Sequence, residues 1–289
     1  MAVLPEASSL PIEKLERILA CPNCQCADSH LLFMERGFPT MECDKCGFIF
    51  LGLRLKEEHL GLIYDNSGYH SVQNSNFNQI VGRKRLALLP NLAKGSRIHE
   101  DGAGNGAFVL AAKNGGLVVT GNDLGQDSIN KAKAALNVDL ANGTLLDVHL
   151  KDGELDALAS FNLLCHLYDP WSYFQEVQRV LKKSGYFLIR VGNRQGYFKR
   201  QGRGKWGAPE HIYHFGLGTL RPMLEKAGLK INWVKPAFDS DFPYLFFNFR
   251  TRGKTPIHKL AGTLCGISVR LWTLLGLPKD DVYILAQKD

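Results

Sequence analysis

A chain of 289 residues with 45% hydrophobic and 22% charged residues has an ordinary globular composition, long enough for one sizeable core and a smaller module. This excludes a chain disordered along its length, and no stretch reaches the ~18 uninterrupted apolar residues of a membrane span. The 35 basic residues outnumber the 28 acidic ones for a formal charge of +7, which favours anionic partners such as a phosphorylated substrate, nucleic acid or lipid headgroups.

The opening stretch "MAVLPEASSLPIEKLE" has neither the basic start nor the apolar centre of a secretion signal, so a soluble, cytoplasmic protein is expected. Residues 1–60 read as a cysteine-containing head built on "CPNCQC" and "MECDKCGFIF". Cys21 and Cys24 form one CxxC pair and Cys43 and Cys46 a second, separated by the ~15 to 20 residues of a four-cysteine zinc site. Four thiolates fill all four tetrahedral positions and leave none for water, so the expected Zn2+ is structural and the head a zinc ribbon. Cys26 is a competitor for Cys24 with a less suitable spacing.

Residues 61–94 read as a connector ending in a helix, and residues 95–289 as the main domain. From Ser96 onward, short apolar runs ("RIHED", "LVVTGND", "ALASFNLL", "YFLIRVG") alternate with helical patterns ("GAFVLAAKNG", "DSINKAKAAL", "YFQEVQRVLKKSG"). That alternation predicts βαβ units and a Rossmann-like parallel sheet with helices on both faces. "LKINWVKPAF" and a last strand "DVYILAQK" bracket an aromatic and basic insert at about 237–278 that includes a predicted helix, "HKLAGTLCGISVRLWTLLG". The run from Phe242 to Phe249 followed by Arg250, Arg252 and Lys254 suits an amphiphilic acceptor or peripheral contact with an anionic membrane surface; buried aromatics beside solvated cations are the plainer reading.

The stretch richest in chemistry is "IHEDGAGNGAF", a glycine-rich turn between a predicted strand and helix. Gly102, Gly104 and Gly106 let the chain turn sharply and bring a ligand against bare backbone. Asp123 follows about 20 residues on, at the end of the next strand, where a carboxylate accepts hydrogen bonds from ribose hydroxyls. Gly102, Gly104 and Ala107 also satisfy the looser fingerprint of nicotinamide enzymes. Glu100, two residues ahead of the first glycine, argues against that reading, because its carboxylate would repel a pyrophosphate and attract a positively charged ligand. S-adenosylmethionine, with an ammonium, a sulfonium, a ribose and no phosphate, fits.

Here the chain resembles the class I S-adenosylmethionine-dependent methyltransferases, whose first motif runs acid-x-Gly-x-Gly-x-Gly. "LDALASFNLLCHLYDP" looks like the fourth strand of that family and "VQRVLKKSGYFLIRVGN" like its helix and fifth strand. "GRGKWGAPEHIYHFGLGTLRPMLEKAGLKI" resembles a segment of zinc-headed small-molecule methyltransferases, including sugar C-methyltransferases. The chain departs from these patterns at Asp101, in place of an apolar residue, at Cys165, in place of a glutamate, and at "RVGN", which lacks a proline.

The resemblance implies that Glu100 and Gly102 to Gly106 hold the methionine end of the cofactor and Asp123 its ribose. It places Thr144 and Leu145 near adenine and counts Leu124 among the cofactor-binding residues, with Phe161 and Asn162 facing the reacting methyl. For a hydroxyl or acidic C–H acceptor, histidine is the usual base near neutral pH. The candidates are His211 and His214, ranked first because the family places their segment over the active site, and then His166. The expected activity is O- or C-methylation of a small-molecule acceptor such as a sugar, a secondary metabolite or a lipid-like intermediate. One alternative is an RNA methyltransferase with a zinc head, against which stands the lack of interleaved basic and aromatic residues in the head. The other is a non-catalytic methyltransferase-fold binding protein.

Overall fold

In the computed structural model, residues 5–60, 62, 75–193, 206–237 and 281–289 are described. The predicted insert at 237–278 and its helix lie almost wholly outside these residues, as does most of "YFKRQGRGKW".

The centre is a seven-stranded sheet in the order β12-β13-β10-β9-β6-β7-β8, made of β6 (Arg97–Asp101), β7 (Val118–Asp123), β8 (Ala141–Asn142), β9 (Leu155–Phe161), β10 (Leu181–Gly192), β12 (Leu229–Pro236) and β13 (Asp281–Lys288). β6, β7, β8, β9 and β10 pair in parallel, as the strand and helix alternation predicts. The sheet is nevertheless mixed, because β13 pairs antiparallel with both β10 and β12. The strand "DVYILAQK" was expected, and its reversed direction was not.

Alternation along the strands covers both faces of the sheet, as a period of two requires. Ala157, Ala159, Phe161, Leu188, Tyr283 and Leu285 pack on one side with Phe108 and Ala112 of helix α2 (Ala107–Asn114). Leu158, Phe187, Ile189, Ile284 and Ala286 pack on the other with Phe174 and Val177 of α4 (Pro170–Val180). Helix α3 (Gln126–Leu136) follows β7, and α5 (Leu217–Lys226) precedes β12.

The "YDP" of the fourth-strand motif starts α4. Asp169 caps the helix, its carboxylate accepting from the Trp171 and Ser172 backbone N–H groups at 3.0 Å each, and Pro170 takes the first position, where no N–H is required. The helix ends at Val180, earlier than the sequence pattern predicts. Leu181 already pairs with Leu155, and an irregularity in register separates it from Tyr186.

The predicted connector contains helix α1 (Ser75–Leu86), which lies on the start of α2. Gly82 makes this possible: a Cβ there would sit 2.3 Å from the Ala107 carbonyl oxygen, so the two backbones meet with no room for a side chain.

The head contributes β1 (Leu15–Arg17) paired with β5 (Leu53–Leu55), and a four-stranded sheet β11-β4-β3-β2. Of that sheet, β2 (Ser29–Glu35), β3 (Phe38–Cys43) and β4 (Ile49–Leu51) belong to the predicted head. β11 (Tyr213–His214) comes from the main domain and pairs antiparallel with β4, so strand pairing crosses the expected boundary. Cys21, Phe38, Phe48 and Phe50 of the head share one apolar cluster with Phe174, Tyr213 and Phe215. Polar contacts close the same junction. Arg54 donates to Glu16 Oε1 at 2.7 Å and to the Tyr213 hydroxyl at 2.9 Å, and lies 4.3 Å from the centre of the Tyr168 ring. Glu35 accepts from the backbone N–H groups of Trp206 and Ala208.

Candidate active site

The glycine-rich turn leaves β6 at Asp101 and enters α2 at Ala107. Gly106 caps the helix in the left-handed region at φ 69°, and a Cβ on it would meet Val138 at 3.0 Å; a side chain here would face both backbone strain and a clash. Asp123, at the end of β7, reaches across the turn: one carboxylate oxygen accepts from the Gly104 N–H and the other from the Gly125 N–H, each at 2.8 Å. A carboxylate has about four acceptor sites, so Asp123 can hold the turn and still accept further hydrogen bonds.

The turn opens on a cavity of about 720 Å³. The wall includes Glu100, Gly102, Gly104, Asp123, Leu124, Thr144, Leu145, Phe161 and Asn162, so these sequence-selected residues come together. Gly106 lies at the buried base of the turn, outside the wall. The short β8 ends just before Thr144, whose N–H and hydroxyl both donate to Asp147. Phe161 packs edge-on against Phe108, with ring centres 5.3 Å apart.

Glu100 is buried, and its Oε2 makes no hydrogen bond among the described residues. Burial pushes its carboxyl up to about 8, although the Arg85 guanidinium pulls the other way. Burial likewise pushes Asp101 up to about 6, opposed by the Asn122 side chain, which donates to Asp101 Oδ1 at 2.7 Å. Asn122 belongs to a buried chain: His99 contacts Thr120 Oγ1 at 2.8 Å and Asn122 Oδ1 at 2.6 Å, and Asn122 also donates to the Gly143 carbonyl. Burial lowers the His99 pKa and so favours the neutral ring. Asp101 is thus accommodated by a polar network, where an apolar residue is the rule in the motif.

The histidines divide differently from their expected order. His166 lines the cavity, whereas His211 and His214 do not. His214 is buried on β11, paired with the head, with its ring 4.7 Å from that of Trp206. His211 stands behind His166, ring centres 4.9 Å apart. His166 is thus the one of the three on the cavity wall, and the segment of His211 and His214 closes the head sheet.

Arg85, Arg190 and Tyr173 also line the cavity, together with Glu57 and Leu60 of the head, and went unrecognised in the sequence. Arg85 stacks over Phe161 at 4.3 Å and donates to the Tyr283 hydroxyl, and buried Arg190 pairs with Asp281 at 2.5 Å. Each depends on contacts between distant segments; the run "GRKRL" on a helix was the one available cue.

In the head, Cys21, Cys24, Cys43 and Cys46 each offer a sulfur within 4.8 Å of the others, with Cys21 to Cys46 and Cys24 to Cys43 both at 3.6 Å. Cys26 stands aside, next to Asp28. A tetrahedron with Zn–S bonds of ~2.3 Å has edges of ~3.8 Å, so the four sulfurs fit the ion. Desolvation raises the Cys21 thiol, whereas Cys43, despite its own desolvation, is drawn down to about 7 by the backbone N–H groups of Cys46 and Lys45.

Residues 100–189 match the family model described as a methyltransferase domain. A probable S-adenosylmethionine-dependent methyltransferase of Mycolicibacterium smegmatis (strain ATCC 700084 / mc(2)155) is 27% identical over 144 residues, 50% of this chain and 55% of that protein; the chain thus spans about half the length of this curated relative. Among solved structures, phosphoethanolamine N-methyltransferase 2 of Haemonchus contortus superposes with a TM-score of 0.57 at 17% identity, over 82% of this chain and 62% of that one. A SAM-dependent methyltransferase from Archaeoglobus fulgidus gives 0.52 at 18%, over 73% and 94%. The fold is Rossmann-like, with the glycine-rich turn opening on the cavity. Residues 100–189 thus carry a methyltransferase-domain pattern, and the sheet with its helices is similar in fold to the solved S-adenosylmethionine-dependent methyltransferases. Among the described residues, no helix is long and apolar enough to cross a membrane.

Proposed function

We propose that the chain is an S-adenosylmethionine-dependent methyltransferase acting on a small-molecule acceptor by O- or C-methylation. The observation that carries this reading is Glu100: a buried carboxyl with one oxygen lacking a partner, beside a glycine turn that a side chain would fill, on the wall of a cavity of about 720 Å³. Those features fit a cofactor with a cationic end. In this reading Glu100 and the turn hold its methionine end, Asp123 accepts from its ribose, and Leu124, Thr144 and Leu145 border its adenine. When bound, S-adenosylmethionine supplies an electrophilic methyl carried on a sulfonium. The protein aligns the acceptor and excludes water, and such orientation is worth ~7 kcal/mol or more. Phe161 and Asn162 face the transfer, and His166 stands on the same cavity wall.

The cavity lies within the ~300 to 1,000 Å³ typical of small-ligand sites. The head narrows it through Glu57 and Leu60, which suits a compact acceptor. Over the alternative of RNA, the small acceptor is also favoured by β2, where exposed Leu31, Leu32 and Met34 supply neither charge nor stacking rings and the exposed His30 ring is engaged with Asp44 at 2.6 Å. The zinc ribbon enters the proposal as a structural brace holding one Zn2+ on Cys21, Cys24, Cys43 and Cys46, with the main domain running from about residue 95.

Calorimetric titration tests the cofactor. S-adenosylmethionine or S-adenosylhomocysteine should bind and NAD should not. Asp123→Ala should weaken binding at least tenfold, since a hydrogen bond to a charged group is worth ~1.5 to 3 kcal/mol. Binding of NAD in place of S-adenosylmethionine would overturn the reading.

A further inference from the structure

A second group of metal-ligating side chains stands apart from the head. Cys165, His166 and His211 each offer one ligand atom, and the three atoms lie within 4.8 Å of one another. Two segments distant in sequence build the cluster. Cys165 and His166 belong to the short 3-10 turn Leu164–His166 after β9, and His211 precedes β11. The Ile212 N–H donates to the Cys165 carbonyl at 2.8 Å and ties the two segments together at this point.

Both imidazoles are oriented by the main chain. His166 Nδ1 donates to the Glu210 carbonyl at 2.9 Å, and His211 Nδ1 donates to the Trp206 carbonyl at 3.0 Å. A carbonyl can only accept, so each ring carries its proton on Nδ1 and its lone pair on Nε2. Metal-binding histidines show the same arrangement: the second nitrogen donates to a backbone carbonyl or carboxylate, which sets the tautomer and aims the ligating one. One sulfur and two imidazole nitrogens form a borderline-soft donor set, matched to zinc and poorly matched to magnesium or calcium. Among the described residues the cluster offers three ligands, the number that catalytic zinc sites draw from the protein.

We propose that Cys165, His166 and His211 form a second zinc site at the edge of the cavity. His166 is both a member of the cluster and part of the cavity wall, so the ion lies against the site already described. The existence of the site is independent of the cofactor reading. Its role, lowering the pKa of a donor beside the acceptor, rests on that reading.

Metal stoichiometry tests the site on the full chain, loaded with excess Zn2+, freed of loose ion by gel filtration and analysed for zinc. Two equivalents are expected for the wild type and one each for Cys165→Ala and His211→Ala, with the thiolate-to-cobalt absorption of the head retained after Co2+ exchange. One equivalent in the wild type, or two in both variants, overturns the proposal. Should the variants fail to fold, the wild type alone decides: Zn2+ should slow alkylation of Cys165 by iodoacetamide, read by peptide mass mapping, and an unchanged rate overturns the site. S-adenosylhomocysteine titrated into the same preparations keeps the two readings apart, since failure to bind would count against the cofactor and leave the zinc count standing.

Discussion

The head and the glycine-rich cavity treat charged groups in opposite ways, although Thr40 Oγ1 of the head is also buried with no hydrogen bond among the described residues. In the head, charged and sulfur groups find partners within the chain: Arg54 donates to Glu16 and Tyr213 while covering Tyr168, Glu35 takes two backbone N–H groups, and the four thiols face one another. In the cavity wall, Glu100 Oε2 and Ser128 Oγ are buried with no hydrogen bond among the described residues. Leaving such a group unmet costs ~1 to 3 kcal/mol, more if it is charged. A region that closes on itself holds the fold together, and one that leaves acceptors open is built to be completed by something else.

Breaking the head should have the largest effect. Cys43 is buried in the apolar cluster shared by the head and main domain, so Cys43→Ser should abolish binding of the proposed Zn2+ and loosen both. Structural zinc contributes on the order of 10 kcal/mol in small domains, comparable with the ~5 to 15 kcal/mol stability of a whole domain. Thermal denaturation should show collapse of the transition, and a strong chelator should reproduce it in the wild type. An unchanged melting temperature in both experiments would make the head dispensable.

A smaller loss is expected where α1 seals the cavity. Gly82→Ala places a methyl 2.3 Å from a backbone oxygen that cannot rotate away, so α1 must shift, taking with it Asn78 and Arg85 of the cavity wall. Overpacking of this kind costs ~1 to 3 kcal/mol, and cofactor affinity should fall alongside stability. Gly218→Ala is the control: nothing lies within 4 Å of its Cβ, and the change should stay within ~0.5 kcal/mol. Equal denaturant midpoints for the two variants would contradict the close approach.

The subtlest effect is one of pH. Burial raises the Glu100 carboxyl to about 8 against ~4.3 in an unfolded chain, so between those values the folded state binds more protons than the unfolded state. Stability of the ligand-free protein should therefore fall as pH rises through that window and level off above it. Asp101 and Glu210, raised by burial to about 6 and about 7, contribute with the same sign. Glu100→Gln should therefore reduce the decline most between pH 7 and 8, read as melting temperature across pH 5 to 9, and parallel wild-type and variant curves would deny Glu100 its burial cost.

Local patterns were legible in the sequence and long-range ones were not. The two CxxC pairs, the strand and helix alternation and the spacing from Glu100 to Asp123 are written over short stretches, and the structure brings those residues together as the spacing suggests. The bond from Gly104 N–H to Asp123 follows from the turn and the adjacent strand. Nothing near Arg85 announces that it will stack on Phe161, and nothing in "EHIYHF" announces that two of its residues form a strand against Phe50 and Ile49. Chain position brings the histidines of that segment near the site, and it is strand pairing with the head that sets His214 opposite Ile49.

That strand pairing also bears on how the protein is made. β4 meets β11 only after the ribosome has passed Tyr213 and His214, long after the cysteines of the head have emerged. Until then the nascent head exposes the edge of β4 and the apolar faces of Phe48 and Phe50, surfaces that invite pairing with other chains. Early capture of zinc by Cys21, Cys24, Cys43 and Cys46 would hold the half-built sheet in register through that interval, so the metal supply during translation, more than the temperature of the finished protein, should govern the yield of folded chain.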